Sequence, residues 1–535
     1  MRRRRPGRRS VAVSAIAVTM VVAPLVMGPE AASAPGRRGP DVHVGGIGLD
    51  GPAGSPRTTP IPRLSRPGSD HRPIRTGQDG DASVERAPRA PVVIAPGPFD
   101  AVPNIVPASP GDPTGALGVE SHVAAVNVHM ASYSRAGVAH FAPKRLRSLD
   151  PRLPSGATDF DPKVVYDPYD QVFLVAFMSA NATTSFMSIV VIPEGREDES
   201  AKTDWCTLHL AGDQVPGNGK QLADYPMLGF TANRVTLTTN QFDFDALAFR
   251  YVQIVSIRKA DLYDCAVDPV PIEVFSRDQT RDPDGSKAFT IVPAIAIGGD
   301  PRVQYMASMD FNGSTGKLIL WRLKLVNGDL KLARTQVASG PTRFPPFGLQ
   351  CGGTLGNANT WWDTGDVRLT SAFWDGDLGR LYTATAVKGN RGGGEIESLV
   401  KWWEVDPALT LSNSDVLRKG TVGAENRDAG WPSVATDGDG NLWINYASAG
   451  LAECLSAYAA IVTPGTTGAS SVLIREGDAR YEFSAGDPER WGDYTALTRD
   501  PVDPTIVAAY GAYPLDDGAG PTDRWQQTIA TLEDA

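Results

Sequence analysis

Carboxylates and aromatic side chains recur at one kind of position in this chain, immediately ahead of short apolar segments. Asp112, Asp161, Asp224 with Tyr225, Asp363 with Asp366, Trp431, and Arg490 with Trp491, Asp493 and Tyr494 all stand there. Carboxylates that face each other raise one another's pKa, so one residue type can supply both a general acid and a general base. Asp161, Asp224, Asp366 and Asp493, with the phenol of Tyr494, are the catalytic candidates. Tyr225, Arg368, Trp431, Arg490 and Trp491 are the candidate ligand contacts, because aromatic faces stack on sugar rings beside hydrogen-bonding carboxylates. The densest cluster is Arg490-Trp491-Gly492-Asp493-Tyr494, with a cation, two aromatics and a carboxylate in five residues. A plainer reading stands beside this one. Asp before a strand often caps a turn through backbone N–H groups, and Trp beside Gly or Pro often wedges between sheets. A ring of Asp residues could also hold a structural calcium ion, since hard cations take several oxygen ligands. No other cofactor is expected.

Bringing these positions together requires a repeat, and one is present. A short strand, a turn rich in Asp, Gly, Asn or Pro, and a second apolar strand recur from Thr114, Pro162, Pro226, Pro293, Val367, Pro432 and Thr495. The starts are 48, 64, 67, 74, 65 and 63 residues apart. Further apolar strands follow most copies, as in 188–192, 250–257 and 317–325. A lone hairpin is barely stable in water, whereas four strands per repeat around an axis make the blades of a propeller. The expected fold is all-β, a seven-bladed β-propeller of four-stranded antiparallel blades over residues 92–535. A six-bladed ring and a pair of β-sandwiches are the alternatives. In a propeller the loops leading into the innermost strands surround one mouth of the central channel, so the residues above would line it. Closure would use Val92–Ile94 as an outer strand beside Trp525–Leu532.

Ahead of the repeats the composition differs. Residues 1–34 read as a signal peptide: six Arg, an apolar run from Val11 to Met27 broken by Pro24, then Ala32-Ser33-Ala34 as a small-x-small cleavage site. The pair Arg8-Arg9 is compatible with a twin-Arg signal. Residues 35–91 are rich in Pro, Gly, Arg and Ser, which predicts a disordered linker. Its Gly46-Ile47-Gly48-Leu49-Asp50-Gly51 fits a dinucleotide fingerprint but lacks the strand before and helix after that such a site needs. Beyond residue 34 the chain holds 45 basic and 60 acidic residues, a net charge of −15. That surface disfavours nucleic acid and anionic membranes as partners. Cys206, Cys265, Cys351 and Cys454 predict two disulfides in an oxidising compartment. Pairing in chain order is preferred among the three connectivities, with buried free thiols as the alternative. Metalloprotease, serine-hydrolase and nucleotide-triphosphate motifs are absent. The turn from Asp437 to Asn441 begins like a calcium loop but lacks its later ligands, so a plain turn is expected there.

Several stretches resemble a family of exported, mostly uncharacterised bacterial propeller proteins related to the sialidase-type propeller superfamily. They are Pro113-Thr114-Gly115-Ala116-Leu117-Gly118 through His122-Val123, Asp161-Pro162 through Tyr166-Asp167, and Asp224-Tyr225-Pro226 through Thr238-Thr239-Asn240. The last runs from Arg490 through Asp493-Tyr494 to Asp500-Pro501-Val502-Asp503. The resemblance spans about residues 110–515 and implies a fold, not an activity, because propellers host hydrolases, lyases, lectins and interaction platforms alike. The expectation from all of this is a secreted or cell-surface monomer that binds a glycan or protein through the channel mouth. The alternative is a glycoside hydrolase or lyase using the mouth carboxylates, and whether the chain is an enzyme stays open.

Overall fold

The computed structural model describes residues 41–44, 47–50 and 90–535, apart from 107, 199–202, 216–219, 268, 311–315, 355–356, 358–359, 391–396, 484–487, 517 and 519. The expected signal peptide and most of the expected linker lie outside the described residues. Within the linker, Asp41–Val44 pairs with Pro271–Phe275, and Ile47–Asp50 pairs with Cys206–Ala211. Ile47–Asp50 of the glycine-rich fingerprint is therefore a strand.

The architecture is all-β and propeller-like. Among the described residues most strands fall into seven antiparallel sets in chain order; Ile295–Ile297 pairs in parallel with Gln221–Phe230 and Ser371–Asp375 and so links the third and fifth, and Gly348–Leu349 with Trp361–Trp362 forms a separate hairpin. The first holds Thr114–Leu117, Ser121–Val126, His129–Ser134 and Lys144–Arg145. The second holds Thr158–Asp167, Val172–Ala180, Ser185–Pro193 and Cys206–Ala211. The third runs from Gln221–Phe230 through Arg234–Asp243 and Phe249–Arg258 to Pro271–Phe275. Val292–Pro293, Val303–Met309, Lys317–Val326 and Asp329–Ala338 form the fourth. The fifth has Ser371–Asp375, Arg380–Gly389, Glu397–Asp406 and Asp415–Val422. The sixth has Asp428–Thr436, Leu442–Gly450, Glu453–Val462 and Ser470–Arg475. In the seventh, Ala496–Arg499, Val507–Pro514 and Trp525–Asp534 are completed by Pro91–Val93 and Phe99–Pro103. The N-terminal strand thus pairs beside the last one, where the sequence places it.

Strands such as Val172–Ala180 and Leu442–Gly450 are buried along their whole length. They are covered on both faces, so they read as apolar runs rather than as strict alternation. The hairpin tips are fixed by aspartates. Asp167, Asp300, Asp375, Asp437 and Asp500 each accept the N–H two residues on. Asp437 also accepts from Asn441 and from the Trp443 indole, 2.8 Å each, which makes this segment the expected turn. Both disulfides join cysteines in chain order: Cys206–Cys265 (Cα–Cα 5.7 Å) and Cys351–Cys454 (4.6 Å). No helix among the described residues is long and apolar enough to cross a membrane.

At the opposite ends of these first hairpins the ladder breaks. The register shifts past Asp161-Pro162, Tyr225-Pro226 and Trp431-Pro432, where proline has no N–H to give the partner strand. Asp161, Tyr225 and Trp431, and Asp112 before Pro113, hold φ between 50 and 55°, a left-handed conformation uncommon for these residue types. One bulge, repeated, turns one side chain per set out of its sheet.

Candidate functional site

The repeated bulges bring together residues scattered from 112 to 493. Asp112, Asp161 and Asp493 each present an oxygen within 4.8 Å of the other two. They are tied through backbone and amide groups. The Asp493 N–H donates to Asp112 Oδ1 (2.7 Å), and Tyr225 N–H donates to Asp161 Oδ2 (3.1 Å). Asn127 closes the link: its amide donates to Asp112 Oδ2 (2.5 Å), and its carbonyl oxygen accepts the Asp161 N–H (2.8 Å).

Around this centre stand two arginines, each held by its own carboxylate. Arg490 donates to both oxygens of Asp493 at 2.7 Å. Arg368 forks onto Asp366 at 2.7–2.9 Å, and its guanidinium lies over the Tyr225 ring at 4.5 Å. Burial opposes their charges, but the neighbouring carboxylates outweigh it and hold both arginines more firmly protonated than usual.

Lys163 sits among the acids. It is 9% exposed, and its Nζ lies 3.1 Å from the centre of the Tyr494 ring. Among the described residues it forms no ion pair. Burial pulls its ammonium down to about 7, although Asp112, Asp161 and Asp493 favour the charge. The acids move the other way. Burial, then Asp493, push Asp112 up to about 8. Asp161 is raised well above the carboxylate range by burial, then by Asp224, Asp112 and Asp493. Asp224 is raised by burial and then by Asp493, and is lowered in part by a hydrogen bond with Asp161. Asp363 is raised by burial. Burial and mutual repulsion thus disfavour ionising Asp161 and Asp224 together, the kind of arrangement from which one carboxyl can donate while the other accepts.

The candidate residues divide by exposure. Asp224, Asp363, Asp366, Arg368, Arg490 and Asp493 are half-buried and can meet a ligand. Four others do not fill the roles expected of them. Trp431 and Trp491 are each 4% exposed. The Trp431 indole donates to the Asp363 carbonyl (2.8 Å), and Trp491 packs edge-on against Tyr481 at 5.0 Å. Both are wedges between sheets and offer no stacking face. The Tyr225 hydroxyl donates to the Asp493 carbonyl (2.8 Å), and the Tyr494 hydroxyl donates to the Pro162 carbonyl (2.6 Å). Burial raises both phenols well above their usual pKa, so neither is placed as a nucleophile.

Lys163 and Asn127 were not among the candidates. Lys163 follows Asp161 by two residues, the spacing that puts two strand residues on one face, but it reads as one polar residue in the run Pro162-Lys163-Val164-Val165. Asn127 lies between two strands and resembles an ordinary turn residue. As for calcium, the oxygens of Asp112, Asp161 and Asp493 already accept amide, backbone or guanidinium hydrogens, and Lys163 supplies a positive charge among them.

No family model matches this chain, and no curated protein matches it. Among solved structures it is similar to a protein of unknown function from Dyadobacter fermentans (12% identity, covering 71% of this chain and all of that one, TM-score 0.35). It is also similar to an α-L-arabinanase from Penicillium chrysogenum complexed with arabinobiose (11%, 83% and 98%, TM-score 0.36). A mutant α-L-arabinanase from Cellvibrio cellulosa is a third (9%, 68% and 95%, TM-score 0.31). Likeness this low assigns no function.

Proposed function

We propose that the chain is an exported seven-bladed propeller whose acidic channel mouth binds a glycan. Seven successive antiparallel sets support the blade count. Closure is supported by the N-terminal strands on Trp525–Asp534, by the Gln527 amide donating to the Thr114 carbonyl (2.9 Å), and by the His122–Tyr510 contact (2.9 Å) between the first and last sets. Two disulfides fit an oxidising compartment.

The observation that carries the binding reading is the convergence of half-buried Asp224, Asp366, Arg368, Arg490 and Asp493 from the third set and from the segments leading into the fifth and seventh. Carboxylates accept from sugar hydroxyls, and arginines donate to ring and hydroxyl oxygens. The positive charges are already paired, so the mouth has little call for an anionic ligand and suits a neutral one. The experiment is a screen of the purified protein against polysaccharides, read for retention and for released reducing ends. Retention of no glycan sinks this reading.

A second reading, hydrolysis, is favoured by the Asp161–Asp224 pair. Two neighbouring carboxyls that burial and repulsion keep from ionising together could act as acid and base on a bound glycosidic bond. Product release lost in Asp224→Asn while retention persists would select it. Retention without products would select binding alone.

A further inference from the structure

The buried Trp431 and Trp491 leave the mouth without the aromatic face that a sugar site uses, and the register of a nearby hairpin supplies another. Gly348 lies opposite Trp362, and Leu349 opposite Trp361, in an antiparallel pair. One step further, Phe347 falls opposite Asp363. A parallel bridge sets Trp362 beside Glu489, so Arg490 runs alongside Asp363 from the other side. Two bonds fix these neighbours: Thr364 Oγ1 donates to the Pro346 carbonyl (2.6 Å), and Asp363 N–H donates to the Glu489 carbonyl (2.8 Å). Phe347 is 53% exposed and Phe344, three residues earlier, 48%. Large apolar side chains exposed on one short segment can mark a contact surface.

The segment that carries them is held in place. Pro341, Pro345 and Pro346 restrict its backbone. The Pro341 carbonyl accepts from Lys401 Nζ (2.8 Å), and the Arg343 carbonyl accepts the Lys388 N–H (3.0 Å). An aromatic side chain on a braced segment loses little freedom when a ligand lands on it.

We infer that Phe347, with Phe344, is the stacking platform of the mouth, and that the ligand is a neutral sugar chain. One ring would lay its apolar C–H face on Phe347 while the next turns its hydroxyls to Asp363, Asp366 and Arg490. The inference rests on the glycan reading above and narrows it to rings with one apolar face. Acidic sugars are disfavoured, because the carboxylates at the rim outnumber the unpaired positive charges.

The test uses the whole chain and a neutral oligosaccharide retained in the screen, with affinities and melting temperatures for the parent, Phe347→Ala, Phe347→Trp and Asp224→Asn. The expected result is a loss of about tenfold in Phe347→Ala, parent-like or tighter binding in Phe347→Trp, and unchanged melting for both. Parent-like affinity in Phe347→Ala, with Asp224→Asn weakened, overturns the platform and leaves the glycan reading standing. A parent that binds no neutral glycan removes both. Tighter binding of acidic than neutral oligosaccharides overturns the choice of ligand class.

Discussion

Replacing Lys163 by methionine should make the protein more stable, and the size of the gain follows from its surroundings. Burial lowers the folded-state pKa of this ammonium from 10.5 to about 7. At about 1.4 kcal/mol per tenfold, keeping it charged in the folded protein costs on the order of 5 kcal/mol relative to the neutral amine. The contact with the Tyr494 ring offsets about 1–2 kcal/mol of that. Methionine fills a similar volume without the charge, so Lys163→Met should gain about 3 kcal/mol near pH 6, where parental Lys163 is protonated both folded and unfolded. Above pH 7 the folded amine loses its proton while the unfolded chain keeps it up to about 10.5, so the contribution of Lys163 to parental stability rises with pH across that window. The advantage of the variant should shrink accordingly towards pH 10. Urea denaturation of both proteins at pH 6 and pH 9.5 reads this directly. If Lys163→Met is less stable than the parent at pH 6, the lysine is a structural counter-ion of the acids, and the view of the cluster as a strained site fails. Stabilisation together with weakened ligand binding is the pattern of a group retained for function.

Other expectations concern the acids, the tryptophans and the disulfides. Asp112, raised to about 8, and Asp161, raised well above the usual carboxylate range by burial, favour the folded state when protonated. Parental stability should therefore fall as pH climbs from about 4 to 7, with Lys163 opposing the fall only above that; thermal melts from pH 4 to 7 should show the decline, and a rise across that range would refute the assignment. Asp224→Asn, at a half-buried position, should change stability by less than about 1 kcal/mol while weakening glycan retention or abolishing turnover. Trp431→Ala and Trp491→Ala should each cost about 3–5 kcal/mol, measured by denaturation, because each empties a buried wedge. Reduction of Cys351–Cys454, which closes a separation of 103 residues, should cost about 3–5 kcal/mol in the unfolding midpoint; no change would mean that the bond is not formed in solution.

Much of the fold was legible because it repeats. The spacing of the hairpins, the prolines that follow Asp112, Asp161, Tyr225 and Trp431, and the aspartates at the tips are all local signals, and each recurs. Pairing of the N-terminal strand with the last one was legible too, since Val92–Ile94 is an apolar segment ahead of the first repeat and Trp525–Asp534 ends the last. The site was half legible. The carboxylates were found because they share a position in the repeat. What a side chain does there depends on its bulk. At the same bulge Asp161 turns a carboxylate towards its neighbours, whereas Trp431 is driven between sheets, and no spacing distinguishes the two. Lys163 was missed because a lone lysine in a strand is ordinarily a solvent-facing residue. Phe347 was missed because its place depends on a two-residue hairpin, Gly348–Leu349 against Trp361–Trp362, too short to read from periodicity.

The central claim is that the acidic mouth is where the ligand sits. Carbodiimide labelling of carboxylates, read by mass spectrometry with and without a retained neutral oligosaccharide, tests it most directly. Protection of Asp224, Asp363 and Asp366, with labelling elsewhere unchanged, is the expected result. Protection confined to carboxylates away from these three would contradict the claim and move the site to another face of the propeller.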